Sequence, residues 1–375
     1  MTQFHPGQLI RQVGYRSFIP SEIRRQWRID DAVVIQLLGQ ANRELGRLDM
    51  FSEYIPDIDF YVRMHVTKEA TQSSKIEGTE TGFEEAMLPE RDVRAERRDD
   101  WLEVQNYVRA MNHAVDRLAT LPLSSRLLRE THAILLEGAR GRDKLPGEFR
   151  RSQNWIGGSS PTDARFVPPP SAEVDRLMGD LENFLHDEDH PMPHLLKIAL
   201  AHYQFETIHP FLDGNGRIGR LMITVYLVEQ GLLKRPVLYL SDFFERHRAA
   251  YYDALSDVRE RGDLLRWFRF FLNGVVETTR SGVAAFDGML KLEREVAHRI
   301  AGSGSRSANL RALGEHLFRQ PVVDGEAVMT QLGVAKTTAY RLIGELEQLG
   351  LLREYTGAKR NRVYTFGPYL RLFGG

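Results

Sequence analysis

His209-Pro210-Phe211-Leu212-Asp213-Gly214-Asn215-Gly216-Arg217-Ile218-Gly219-Arg220 gathers a histidine, a carboxylate, small residues around Asn215 and two arginines within twelve positions. Together they are the groups needed to handle a polyphosphate. Gly214 and Gly216 let main-chain N–H groups approach an anion closely and form a nest. The apolar run from Ile218 to Val228 predicts a helix, so the nest stands at a helix N-terminus, where unpaired donors and the dipole both favour negative charge. Arg217 and Arg220, three apart on the first turns, reach the same ligand. Asp213 is a hard oxygen donor that suits Mg²⁺ shared with phosphate oxygens. His209 is the group whose ordinary pKa lets it take up a proton near neutrality.

Working outward, the whole chain is that of an ordinary globular protein. It has 375 residues, 42% hydrophobic and 27% charged, enough for two or three domains. A formal net charge of −1 gives no global attraction to nucleic acid or membrane. The absence of cysteine excludes disulfides, zinc–thiolate sites and cysteine nucleophiles. No basic, then apolar leader opens the sequence and no run approaches the roughly 20 apolar residues that span a bilayer, so a cytoplasmic protein with no membrane partner is expected.

The ordered string resembles the signature of the Fic family, His-x-Phe-x-(Asp/Glu)-Gly-Asn-Gly-Arg-x-x-Arg, at every defined position. A second segment, Ser73-Ser74-Lys75-Ile76-Glu77-Gly78, closes a predicted helix more than a hundred residues earlier. Alone it reads as a helix end with a glycine C-cap. Beside the signature it is similar to the family's inhibitory motif, (Ser/Thr)-x-x-x-Glu-(Gly/Asn), with Ser73, Glu77 and Gly78 at the defined positions, N-terminal as in the family's second class. A Glu77 carboxylate on Arg220 would occupy the guanidinium fork meant for the γ-phosphate of ATP.

The resemblance implies a protein adenylyltransferase that moves AMP from ATP to a Ser, Thr or Tyr hydroxyl and releases pyrophosphate. His209 is then the base, Asp213 the Mg²⁺ ligand, Gly214, Asn215 and Gly216 the phosphate cradle, and Arg217 and Arg220 the grip on the β- and γ-phosphates. Phe211 is read as a packing anchor. His247 and Tyr252, in the aromatic stretch after the signature helix, are candidate nucleotide contacts. ATP and a target protein, this chain included, are the implied partners, with a homodimer as a further candidate.

The expected fold class is mainly α: a Fic-type helical bundle with a β-hairpin flap, then a winged helix-turn-helix. Residues 1–97 are read as an irregular opening followed by helices that carry the inhibitory motif. Residues 98–275 are read as the catalytic domain, with helical patterns over Trp101–Leu118, Ser124–Glu137, Ser171–Leu185, His194–His209, Arg217–Gln230 and Ala249–Leu255. Arg150–Pro170 breaks the pattern. Asn154–Ile156 and Arg165–Val167 there predict a hairpin whose free edge could pair with an extended segment of another protein, a flap position that the resemblance also implies. Residues 276–301 form a linker helix. In 302–375, helices at Leu310–Phe318, Gly325–Leu332 and Lys336–Leu349 precede strands at Leu351–Tyr355 and Arg362–Phe366, a winged-helix order. Lys336, Thr337, Tyr340 and Arg341 on its third helix, with Lys359 and Arg360 on the wing, are candidate DNA contacts. The basic excess there is modest, so DNA contact and protein docking stay open. A nucleotide-sensing DNA-binding regulator with little catalysis is the alternative to the enzyme.

Overall fold

The computed structural model describes residues 4–54, 58–138, 141–302, 308–357 and 361–373. Strands β1 (Gly7–Arg11) and β2 (Arg16–Pro20) pair antiparallel, and the helices α1 (Ala32–Tyr54), α2 (Ile58–Ile76), α3 (Phe83–Ala86), α4 (Arg98–Arg117) and α5 (Ser125–Leu135) follow. After the excursion at 150–170 come α6 (Val174–Leu185), α7 (His194–Ile208), α8 (Asn215–Glu229), α9 (Ser241–Arg246), α10 (Arg248–Arg261) and α11 (Leu264–Gly302). The C-terminal part contains α12 (Ala308–Arg319), β3 (Val322–Asp324), α13 (Gly325–Leu332), α14 (Lys336–Gln348), β4 (Arg353–Glu354), β5 (Val363–Thr365) and α15 (Gly367–Leu370). Among the described residues no helix is long and apolar enough to cross a membrane.

The central helix is α7, in which every residue from Leu195 to Ile208 is buried. Such a helix is apolar around most of its circumference because neighbours cover all of its faces. Its polar side chains are paired inward: one ring nitrogen of His202 meets the Gly219 carbonyl at 3.0 Å and the other the Tyr251 hydroxyl at 2.8 Å. Since a carbonyl only accepts, Nδ1 carries the proton and Nε2 accepts from the tyrosine. These bonds tie α7 to α8 and α10. Helix ends follow their local chemistry. Ser124 caps α5 by accepting from the Leu127 N–H, and α10 stops at Gly262, whose φ of 69° is easy only for glycine.

A single 39-residue helix, α11, runs from the catalytic core to the C-terminal part. The linker helix expected at 276–301 is therefore the second half of an element that starts at Leu264. It runs alongside α1 in the same direction, with Arg269 on Asp31 at 2.8 Å, Arg280 on Glu44 at 3.4 Å and Phe286 stacked near Phe51. Phe286 also stacks on Tyr61 of α2 with 3.7 Å between ring centroids.

Two expectations need correction. The opening is not irregular, because residues 7–20 form the β1–β2 hairpin. The hairpin at 150–170 is reduced to one bridge, Ile156 with Phe166. Gly157 and Gly158 both turn with positive φ, and Pro168 to Pro170 supply no N–H, so the ladder cannot be extended outward past Phe166. Its outer side is also engaged, since the Phe18 N–H of β2 donates to the Val167 carbonyl at 2.9 Å.

In the C-terminal part, α12, α13 and α14 occupy the predicted places, and β3, not anticipated, joins a three-stranded sheet of order β3-β5-β4. Lys336, Thr337, Tyr340 and Arg341 are all exposed on α14, and Arg341 pairs with Glu345 of the same helix. Lys359 and Arg360 lie outside the described residues, as does most of the Gly302–Ser305 joint. The sheet covers the segment that follows the inhibitory motif. Val322 and Val363 cluster with Leu88 and Val93, Arg91 pairs with Asp324 at 2.5 Å, and Arg353 pairs with Glu84 at 3.2 Å.

Phe286, fully buried between α1 and α2, anchors this arrangement. Phe286→Ala is expected to lower unfolding free energy in urea by about 3–5 kcal/mol, the usual cost of emptying an aromatic core site. A loss below about 1 kcal/mol would mean that the α11 packing collapses around the gap.

Candidate active site

The signature forms a tight loop between two buried helices. His209 ends α7 with φ 50° and ψ 62°, a left-handed conformation uncommon for a residue with a Cβ. Gly214, φ 74°, begins α8 in the same region of backbone space. Asn215 closes the loop on itself: its Oδ1 accepts from the Phe211 N–H at 2.8 Å and its Nδ2 donates to the Phe211 carbonyl at 2.8 Å. With both ends of its side chain engaged, Asn215 shapes the nest from within. Phe211 is fully buried and stacks on His132 at 3.8 Å, consistent with its reading as an anchor.

Arg220 is 2% exposed and is met from α2 at three points. Its Nε donates to Ser73 Oγ at 2.8 Å, and one terminal nitrogen donates to the Ser73 carbonyl at 2.9 Å and to Glu77 Oε1 at 2.7 Å. The two motifs, far apart in sequence, are thus one constellation. Burial alone would raise the Glu77 carboxyl, but the Arg220 guanidinium outweighs it and holds the group below the usual carboxylate range. Glu77 also lies over the nest. A Cβ built on Gly216 would stand 2.2 Å from its Oε1, so only glycine leaves room for that carboxylate. Gly78 follows at φ 103°, where the chain leaves α2.

Arg217, 5% exposed, donates to Glu103 of α4 at 3.1 Å and has Asp213 at 3.6 Å. Asp213 Oδ1 accepts from the Gly214 N–H at 2.6 Å, while its side chain is 47% exposed. No cluster of three or more histidine or acidic residues capable of holding a metal occurs among the described residues. A single solvent-facing carboxylate beside an anion nest nevertheless suits Mg²⁺, which takes one or two protein carboxylates and completes its shell with water and phosphate.

The His209 imidazole is partly buried and its Nδ1 finds no hydrogen-bond partner among the described residues. Burial lowers its pKa to about 4, against an opposing pull from Glu77, so the ring is neutral at physiological pH. Three residues earlier, Glu206 shows the opposite shift. Burial raises it to about 7, and its Oε1 is unpartnered. Glu206 faces a cavity of about 890 Å³ between β1–β2, the 150–170 excursion and α10, which Tyr252, Leu255 and Arg259 also line. Tyr252 is therefore placed beside the site. His247 does not line this cavity and instead rests its exposed ring on Phe243 at 4.6 Å.

Several residues that support the loop carry no motif. His132 Nδ1 accepts from the Gly147 N–H at 2.9 Å, which leaves Nε2–H to donate to the Asp213 carbonyl at 3.0 Å. Arg150, 2% exposed, and Asn154 donate to carbonyls of the His209 segment. Glu69, one helical turn before Ser73 on α2, accepts from Ser241 and Tyr107. The spacing of Glu69 and Ser73, i and i+4, was the one available sign that Glu69 shares the inward face of α2.

Comparison with known proteins points to one family. Residues 35–116 match the Fic/DOC family N-terminal domain, and residues 122–227 match the Fic/DOC family domain. The protein adenylyltransferase Fic of Aedes aegypti is 38% identical over 125 residues, 33% of this chain and 22% of that protein. Its namesake in Drosophila melanogaster is 35% identical over 133 residues, 35% of this chain and 24% of that protein. The chain thus spans about a quarter of the length of these curated relatives. A Fic family protein from Desulfovibrio desulfuricans G20 superposes with a TM-score of 0.59 at 19% identity, over 91% of this chain and 98% of that one. Fic-1 from C. elegans gives 0.51 at 21% identity, over 70% and 74%. At such identities the structural likeness concerns the fold, while the two matched domains bracket both the inhibitory motif and the signature. The chain carries the Fic/DOC N-terminal and Fic/DOC domains and belongs to the Fic family.

Proposed function

We propose that the protein is an adenylyltransferase that moves AMP from ATP to a hydroxyl of a protein and is restrained by its own Glu77. The observation that carries this reading is the three-point grip of α2 on Arg220, with the Glu77 carboxylate laid across Gly216. A carboxylate resting on an anion nest and a buried guanidinium marks where a phosphate belongs.

In this reading ATP lies along the loop, its α-phosphate at the nest and its terminal phosphates toward Arg217 and Arg220. Asp213 would hold Mg²⁺, which offsets negative charge on the phosphate oxygens when bound. The target hydroxyl attacks the α-phosphorus, a new P–O bond forms, and the bond to the β-phosphate breaks as pyrophosphate departs. His209 accepts the hydroxyl proton, which requires the neutral ring that its burial favours. Main-chain N–H groups from Gly214 to Gly216 stabilise the charge that builds on the phosphate oxygens. With Glu77 in place the γ-phosphate cannot settle on Arg220, and the α-phosphate is turned away from in-line attack. The C-terminal part, read as a winged helix, presents Lys336, Thr337 and Tyr340 on an exposed helix face; DNA or protein docking there is a separate role that leaves the chemistry unchanged.

Labelling with α-labelled against γ-labelled ATP tests the reaction: only the α-label is expected on protein, and transfer of the γ-label instead would make the protein a kinase. Glu77→Gly is expected to raise α-label transfer about 10- to 100-fold, the scale on which a misplacement near 1 Å acts; a rate equal to wild type removes the brake from the account. His209→Ala in that background should lower transfer by about 10²–10⁴-fold with nucleotide affinity kept, as loss of a general base does, and parallel loss of binding would assign His209 a folding role. The rate should be flat from neutral pH down toward 5 and fall only as the ring protonates near its lowered pKa of about 4. An acid limb centred near the ordinary histidine value would contradict the burial argument.

A further inference from the structure

The strained backbone of His209 is held from one side by a single short segment. The Arg150 N–H donates to the Pro210 carbonyl at 2.8 Å. The Arg150 guanidinium donates to the carbonyls of His209 at 2.9 Å, Ile208 at 3.3 Å, Pro169 at 2.5 Å and Ser152 at 3.2 Å. Asn154 Nδ2 adds the His209 carbonyl at 3.1 Å and that of Phe211 at 2.8 Å. Each carbonyl from Ile208 to Phe211 therefore receives at least one donor from Arg150 or Asn154, and His209 receives two. Among the described residues, every acceptor of Arg150 is a main-chain carbonyl. Burial lowers the guanidinium to about 10, so it remains a cation at neutral pH.

A buried cation without a carboxylate partner is costly unless its donors are filled, and here the catalytic loop fills them. The loop, in turn, needs the cation. A left-handed histidine is strained relative to a relaxed conformation and persists only where its surroundings over-determine it. Rotating φ from 50° back to a negative value would redirect the Cα–Cβ bond and displace the imidazole.

We infer that Arg150 and Asn154 are positioning residues for the His209 imidazole, holding it in left-handed geometry over the nest through the four carbonyls of residues 208–211. The inference rests on the transferase reading above. It predicts a selective defect, because neither side chain is among those assigned to the nucleotide: the rate of transfer depends on them and the hold on ATP does not.

The test uses the full chain in the Glu77→Gly background. Asn154→Asp keeps the shape but replaces the donor by an acceptor facing two carbonyls; Arg150→Lys keeps the charge and loses the fork. Each is expected to lower kcat for α-label transfer about 10- to 100-fold, with KM for ATP and nucleotide affinity within about twofold of the parent. Where Asn154→Asp does not fold, by far-ultraviolet circular dichroism, Asn154→Ser, which keeps one donor, takes its place. An unchanged kcat overturns the inference, and so does a joint loss of rate and nucleotide affinity, which would make the pair merely structural. Absence of transfer in the Glu77→Gly parent itself would refute the transferase reading instead, so the two failures are distinguishable.

Discussion

A guanidinium that is 2% exposed must have its charge answered, and the architecture around Arg220 follows from that need. Arg220 lies on the second turn of α8, at the bottom of the anion nest, and α2 answers it with a hydroxyl, a carbonyl and a carboxylate. Only the carboxylate is replaceable. Ser73 belongs to the body of α2, whereas Glu77 lies just beyond its last residue, with its side chain 37% exposed. Arg220 is therefore held by one carboxylate beside a pair of neutral acceptors. In the proposed reading an internal carboxylate and a phosphate compete for the same donors, and that competition is a sufficient physical basis for self-restraint.

For the competition to be effective, α2 has to be held in register with α8. Three layers do this. Glu69 is a buried carboxyl raised by burial and satisfied by Ser241 and Tyr107, which links α2 to α9 and α4. Tyr61 stacks on Phe286 and links it to α11. Phe373, from the C-terminal part, meets His65 at 5.0 Å and Tyr61 at 5.7 Å. The Glu77 carboxylate is thus carried by one of the most heavily cross-linked helices of the fold, although its own tip is accessible.

What could be read from the sequence divides along a physical line. Contiguous chemistry was legible: the signature placed His209, Asp213, the glycine nest and both arginines on one loop, and the Ser73–Glu77 spacing was legible once that loop had been identified. Helical periods gave α7, α8, α13 and α14 to within a few residues. β4 and β5 fall inside the strand runs read at 351–355 and 362–366, whereas β1, β2 and β3 were not legible. The residues of β1–β2 lie between glycines and prolines without clear alternation, and β3 has only three residues. The hairpin at 154–167 was over-read, because apolar strand-like triplets say nothing about which N–H groups the neighbouring prolines remove. The supporting residues were the least legible of all. His132, Arg150 and Asn154 act by donating to carbonyls, an interaction that leaves no complementary side chain elsewhere in the sequence to betray it.

The length of α11 has a mechanical meaning. Near its start Trp267 donates to the Ala199 carbonyl of α7, and near its end Arg299 donates to the Leu349 carbonyl just past α14. At about 1.5 Å per residue its 39 residues make a rod roughly 58 Å long. A tilt of about 1° at one end then moves the other by about 1 Å, the displacement at which enzymatic rates begin to change by orders of magnitude. The rod joins the helices that hold the signature to the distal sheet and helices through one continuous element.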